Sequence, residues 1–234
     1  MKLSNQQIEH LYQFTRQHYV DWYDLQTELV DHLANAIEEQ WQQNPKFSFE
    51  DALQIEFKKF GVFGFMDVVE KRQVALGKQY NKLVWSYFKD FFSIPKIIGT
   101  ASAFIFLVIL MLKYQFANII IISLFMISAI IFFIGMIKLS RKNKKQNEVS
   151  GKKWLYKDII YSFGTFGGLS YLPIQIALQL YDKINFFNLI PSIIISATVI
   201  SVLLFNFILL FIIPSKAEHY LKKTYPEYEL VNNL

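Results

Sequence analysis

The stretch ANIIIISLFMISAIIFFIGMIKLSRKNKK, Ala117 to Lys145, decides the fold. From Ala117 to Ile137 it holds no Asp, Glu, Lys or Arg, and Ile, Leu and Phe dominate it. About 20 helical residues cross the hydrocarbon core of a bilayer, so this run predicts a transmembrane helix. The run lacks the in/out alternation of a membrane strand, which excludes a β-barrel. Basic residues follow immediately at Lys138, Arg141, Lys142, Lys144 and Lys145.

Three further runs repeat the pattern, at about 94–112, 159–181 and 189–213. Lys96, Lys113, Asp158 and Asp182 stand at their ends, where side chains reach water. The fold class expected is all-α: a four-helix transmembrane bundle, 94–213, with a small N-terminal cytoplasmic helical domain. Residues 1–64 form that domain, 65–93 an amphipathic juxtamembrane helix and 214–234 a cytoplasmic tail. Hydrophobic residues make up 53% of the 234, too many for an ordinary soluble domain. The polar start, MKLSNQQ, predicts no cleavable signal peptide.

Orientation follows from the lysines. The connection between the second and third runs carries Lys138, Arg141, Lys142, Lys144, Lys145, Lys152, Lys153 and Lys157, and the tail carries Lys216, Lys222 and Lys223. The two short connections carry only Lys113 and Lys183. The positive-inside bias places that basic loop and both termini in the cytoplasm, in a bacterial inner membrane.

In the soluble part, Ser4 with Gln7 makes a capping box, and Leu3 with Ile8 a hydrophobic staple. A first helix would bury Ile8, Leu11, Tyr12 and Tyr19. A second starts at Asp21 or Asp24, carries Leu25, Leu29, Leu33, Ile37 and Trp41 on one stripe, and ends before Asn44-Pro45. Ser48 and Asp51 cap a third, with Ala52, Leu53, Phe57 and Phe60 inward and Gly61 at its end. A fourth helix begins near Phe65, with Leu76, Tyr80, Val84, Phe88 and Phe91 on one stripe. It is flanked by Lys71, Arg72, Lys78, Lys82, Lys89 and Trp85, a mixture suited to a membrane interface.

The segment ELVDHLANAIEE from Glu28 to Glu39, then Phe47-Ser-Phe-Glu-Asp-Ala52, then Phe60-Gly61, resembles the helical prefix domains of membrane proteins associated with PadR-type transcriptional regulators. The likeness covers about the first 75 residues and departs from the family at Asn44, where Gly is more usual. The whole chain is similar to four-span membrane proteins of Bacteroidota-type bacteria. The resemblance implies a cytoplasmic interaction module coupled to a membrane part, with no activity attached.

Two faces qualify as candidate sites. Gly164, Gly168, Tyr171, Gln175 and Gln179 share one face of the third run, and Asn206 belongs to the fourth. This face is either a helix-packing seam of spans three and four, through Gly164-xxx-Gly168, or a polar groove for a small ligand. Pro173 is expected to kink the third run near Leu169. Asp24, Glu28, Asp31, His32 and Glu38 lie in an acidic stretch that also includes Asp21 and Glu39. It is either a solvated face or a docking face for the basic Lys138–Lys157 connection, in this chain or a neighbouring one. Glu28 and His32, at i and i+4, admit part of a metal site or a solvated pair.

The chain contains no cysteine, which excludes disulfides and thiolate chemistry. It has no phosphate-binding loop, no G-x-S-x-G and no H-E-x-x-H. The expectation is therefore a non-enzyme without cofactor or metal. Its partners are the lipid bilayer, and a second copy or a cytoplasmic regulatory protein; direct nucleic-acid binding is not expected. A small transporter or channel for a neutral solute is the alternative.

Overall fold

The computed structural model describes residues 2–164, 166, 168, 175 and 188–229. Among them every regular element is helical. Three helical stretches are long and apolar enough to cross a membrane: Lys96–Lys113, Ala117–Ser150 and Leu189–Ser215. The elements are α1 (Asn5–Gln17), α2 (Tyr23–Gln43), α3 (Phe49–Lys58), α4 (Met66–Asp90), α5 (Lys96–Lys113), α6 (Ala117–Ser150), α7 (Leu155–Tyr161) and α8 (Leu189–Phe207). After a π-helical turn at Ile208–Ile212 come α9 (Ile213–Ser215) and α10 (Ala217–Thr224).

Two compact units divide the chain. The first comprises Met1–Leu76, Gln146–Asp158 and the chain from Tyr225; the second comprises Gly77–Lys145 and Ile159–Thr224. These units cut the sequence elsewhere than at residues 64 and 214, because two distant segments complete the N-terminal core.

In the first unit, α1 opens on the capping box: Ser4 Oγ accepts from the Gln7 amide at 3.3 Å, and Gln7 Oε1 accepts from the Ser4 amide at 2.8 Å. Leu11 is buried, but Tyr19 is 78% exposed. It adopts φ +65° in the turn after α1, so the left-handed backbone turns its side chain outward. Phe14 takes the expected place of Tyr19, meeting His18, Phe57 and Phe65 ring to ring. Leu25, Leu29, Leu33, Ile37 and Trp41 of α2 are all buried, as an i, i+4 stripe requires. Ser48 Oγ accepts from the Asp51 amide at 3.1 Å and starts α3. Beyond α3, Gly61 and Gly64 adopt φ +80° and +55°. A Cβ on Gly64 would lie 2.9 Å from Phe57 Cζ, so glycine lets the loop fold tightly over that ring.

In the second unit, α5 packs on α8. Leu107 and Met111 of α5, Ile121 and Phe125 of α6, and Ile195 and Val199 of α8 form one buried cluster. The α4 residues Tyr80 and Val84 are fully buried. Phe88 stacks on Phe205 at 4.5 Å, with Trp85 edge-on to the same ring at 5.5 Å. The inner part of this apolar stripe is therefore covered by protein rather than by lipid. Trp85 and Phe92 keep about half their surface exposed, beside Lys82 and Lys89.

Two departures from expectation have local causes. Helix α6 does not stop at Ile137 but runs 34 residues to Ser150, about 51 Å at 1.5 Å per residue. Lys138–Ser150 holds neither Pro nor Gly and carries four Lys with Leu139, Arg141, Gln146 and Glu148, all good helix formers. Gly151, at φ +63°, follows the helix end. The expected basic loop is thus mostly helix, with only 151–154 between α6 and α7. The third run, in turn, does not begin as one continuous helix. α7 ends at Tyr161, and Phe163 and Gly164 both take left-handed backbone, at φ +65° and +49°. Right-handed helix cannot pass through two such residues. The buried Phe163 ring lies 5.3 Å from Phe132. The π-helical turn also has a local reason: Pro214 has no N–H to give, and its ring crowds the carbonyl one turn back.

Candidate functional site

The densest polar arrangement lies in the first unit, where α2 begins. Trp22 precedes the helix and offers no side-chain cap, so the first turn must find partners elsewhere. The Tyr23 amide donates to the Lys153 carbonyl at 2.7 Å, and Trp22 Nε1 donates to Asp158 Oδ2 at 2.9 Å. Asp24, in the first turn where a carboxylate is favoured by the helix dipole, is buried. Its Oδ1 accepts from the Leu155 amide at 3.1 Å, and its Oδ2 from the Tyr225 hydroxyl at 2.7 Å. Tyr225 Oη in turn accepts from the Tyr156 amide at 3.1 Å. One carboxylate and one phenol thus clasp the start of α2 to two segments that lie 131 and 201 residues from Asp24 in sequence.

Aromatic rings close over the clasp. Trp154, 1% exposed, meets Tyr23 at 5.3 Å, Tyr225 at 4.9 Å and Tyr228 at 5.0 Å. Lys152 lies 4.8 Å above the Tyr23 ring, and Lys153 lies 5.5 Å above Trp22 while pairing with Asp21 at 3.4 Å. Burial raises the Asp24 carboxyl above its usual range, although the bonds from Tyr225 and Leu155 pull it back. Burial, then the neighbouring Asp24 charge, raises the Tyr225 phenol, and burial pushes Tyr156 up to about 12. Both phenols therefore stay protonated at neutral pH and serve as hydrogen-bonding posts. The arrangement is built to hold segments together; it presents no activated nucleophile beside a base.

The acidic docking face divides. Asp24 enters the clasp, and Asp21 with it, against the segment that includes Lys153. Glu28, Asp31 and His32 are exposed, and Glu38 accepts from the Leu3 amide at 2.9 Å. The His32 ring lies 5.8 Å from Phe60. Among the described residues no group of three His, Asp or Glu converges as a metal site. Of the basic residues, Lys152 and Lys153 belong to the clasp; Arg141, Lys142, Lys144 and Lys145 are exposed on α6. The sequence signal for the clasp was the aromatic tail Tyr225-Pro-Glu-Tyr228, whose contacts no periodicity could have located.

The residues singled out on the third and fourth runs also separate. Tyr171, Gln179 and the kink at Pro173 lie outside the described residues. Gln175 and Gly168 are exposed, and a Cβ on Gly168 would meet nothing within 4 Å. Gly164 instead admits an α4 ring: a Cβ there would lie 2.8 Å from Tyr80 Cδ1. Asn206 points to the second span, where Nδ2 donates to Ser128 Oγ at 2.7 Å and to the Ser128 carbonyl at 3.2 Å. Ser196 faces Met111 of the first span, 3.6 Å from its sulfur. Ser196 and Asn206 of α8 are therefore bonded to α5 and α6, while Ser192, Thr198 and Ser201 bond the carbonyls of Asn188, Ile194 and Ala197 in their own segment.

Asn206→Ala is expected to lower stability in detergent by about 0.5–1.5 kcal/mol, the range for an interhelical bond in a membrane protein. A double-mutant cycle with Ser128→Ala should show most of that as coupling; strictly additive losses would remove the bond from the account.

The chain matches no protein-family model, no curated protein and no solved structure.

Proposed function

We propose that this chain is a non-enzymatic, four-span interaction or sensor protein of a bacterial cytoplasmic membrane, whose cytoplasmic module is assembled from both ends of the chain and its central connection. The observation that carries this is the Asp24–Tyr225 clasp. Segments packed into one compact unit lie on one side of a bilayer. Between Leu76 and Gln146 the chain has α5 and α6, two crossings, which returns it to its starting side. Between Asp158 and Tyr225 the described residues hold one candidate crossing, Leu189–Ser215, and the four-span reading assigns a second to 159–188. The apolar composition of 159–181 supports that assignment. Arg141, Lys142, Lys144 and Lys145 favour the cytoplasmic side for the module.

The likeness of residues 28–61 to regulator-associated prefix domains makes a cytoplasmic regulatory protein the partner class, with exposed Glu28 and Asp31 as the polar face offered to it. Transport of a neutral solute has less support, because Asn206 and Ser196 are turned to neighbouring spans rather than to a path.

The cysteine-free chain permits a direct test. Single cysteines at Asn147 and Glu229 should react with a membrane-impermeant maleimide only after spheroplasts are opened, whereas cysteines at Phe116 and Asn188 should react in intact spheroplasts. Labelling of Asn147 and Glu229 from opposite sides would overturn the four-span topology. Co-purification in mild detergent tests the partner: recovery of the bare chain, where known weak complexes survive, would count against an interaction protein.

A further inference from the structure

The continuation of α6 past the apolar run arranges its basic residues in a way a loop would not. At about 100° per residue, Lys138, Arg141, Lys142 and Lys145 fall within an arc about 100° wide, with Asn143 and Asn147 opposite. Exposure follows the same division: the four basic residues are exposed, Asn143 is buried and Asn147 is half-buried, donating to Asp158 at 3.4 Å. One side of the helix is thus packed and the other is a basic stripe. None of the four carries an ion pair among the described residues, in contrast to Lys153 with Asp21.

Position completes the case. Counting 1.5 Å per residue from Ile137, the stripe covers about 1.5–12 Å beyond the hydrocarbon edge. The headgroup layer is about 5–8 Å deep on each side, and surface charge is felt for a further 8–10 Å or so. Lys138, Arg141 and Lys142 therefore lie at the depth of the lipid headgroups, and Lys145, at about 12 Å, lies within reach of their surface charge. We propose that the Lys138–Arg141–Lys142–Lys145 stripe docks the headgroups of anionic phospholipids in the leaflet that α6 leaves, so that the membrane's own anionic lipid is a ligand of this helix. The proposal rests on α6 crossing a bilayer.

Ile134, 61% exposed, lies on the same side of α6 one turn before Lys138 and takes a reporter. The full chain carrying Ile134→Cys, labelled with a fluorophore, would be reconstituted in nanodiscs of zwitterionic lipid. A minority of lipid would bear a nitroxide high on the acyl chain, under either a phosphatidylglycerol or a phosphatidylcholine headgroup. Quenching by the anionic lipid should exceed that by the zwitterionic one about three- to tenfold at low salt. The ratio should fall to about one in high salt or in the K138Q/R141Q/K142Q/K145Q variant. K222Q/K223Q, on α10, should leave it unchanged. Equal quenching by the two lipids would overturn the proposal while leaving the transmembrane reading intact; quenching by neither would remove α6 from the bilayer altogether. Equal quenching with an oligomeric mass that depends on the four charges would give the stripe to a second copy.

Discussion

Asp24→Ala is expected to destabilise the first unit by about 2–5 kcal/mol, since it strands two buried donors, the Leu155 amide and the Tyr225 hydroxyl, at about 1–3 kcal/mol each. Asp24→Asn should cost less, since it strands the Tyr225 hydroxyl proton alone. Its carbonyl can still accept from Leu155, and its amide can donate to Tyr225 Oη. Tyr225→Phe should fall between, removing the acceptor of the Tyr156 amide together with the donor to Asp24. Hydrogen exchange of the α1–α3 amides in detergent would measure all three, and a double-mutant cycle of Asp24→Ala with Tyr225→Phe should give a coupling of about 1–2 kcal/mol. Native-like protection in Asp24→Ala would dismiss the clasp.

The same residue sets a pH dependence of unusual sign. The Asp24 carboxyl is raised in the folded protein from an ordinary value of 3.8, chiefly by burial. Between the unfolded and folded values the folded state binds more protons, so acid favours it there. The contribution of Asp24 is fully present below 3.8 and is lost as pH rises through the higher, folded value. Most paired carboxylates do the reverse. Relative to Asp24→Asn, the native chain should therefore gain stability as pH falls toward that window, and parallel pH profiles for the two proteins would contradict the burial assigned to Asp24.

The parts of the fold that local rules govern are legible in the sequence. The α2 stripe from Leu25 to Trp41, the Ser4 and Ser48 caps and the apolar runs of α5, α6 and α8 need only periodicity, capping chemistry and length. What connects them is not legible. Tyr225 meets Asp24 across 201 positions, and nothing in either residue's neighbourhood encodes the other. The extension of α6 could have been read from the absence of Pro and Gly before Gly151. A run of lysines argues equally for a solvated loop, and only the burial of Asn143 decides. Gly164 shows a role that spacing does not reveal: its distance from Gly168 fits a seam between membrane helices, and its left-handed backbone accommodates Tyr80. The acidic run of α2 looks uniform, but its first turn alone is recruited, because only there does the helix leave amides and a carboxylate facing the 153–158 segment.

If that recruitment holds the cytoplasmic unit together, its largest side chain should matter most. Trp154 is 1% exposed and touches Tyr23, Tyr225 and Tyr228, one ring from α2 and two from the tail. Trp154→Ala is expected to cost about 3–5 kcal/mol, the range for emptying a buried aromatic site. The indole N–H has no acceptor among the described residues, so its hydrogen-bonding capacity contributes nothing to offset its burial. Trp154→Phe keeps a ring between the tyrosines and discards only that unpaired donor and part of the volume. Its cost should therefore be less than half that of alanine. Protease cleavage after Lys152 and Lys153, followed against time in detergent, gives the readout: fast in Trp154→Ala, near the native rate in Trp154→Phe. Equal cleavage of the two variants would mean that the indole nitrogen, and not the ring, secures this segment, and would require an acceptor for it.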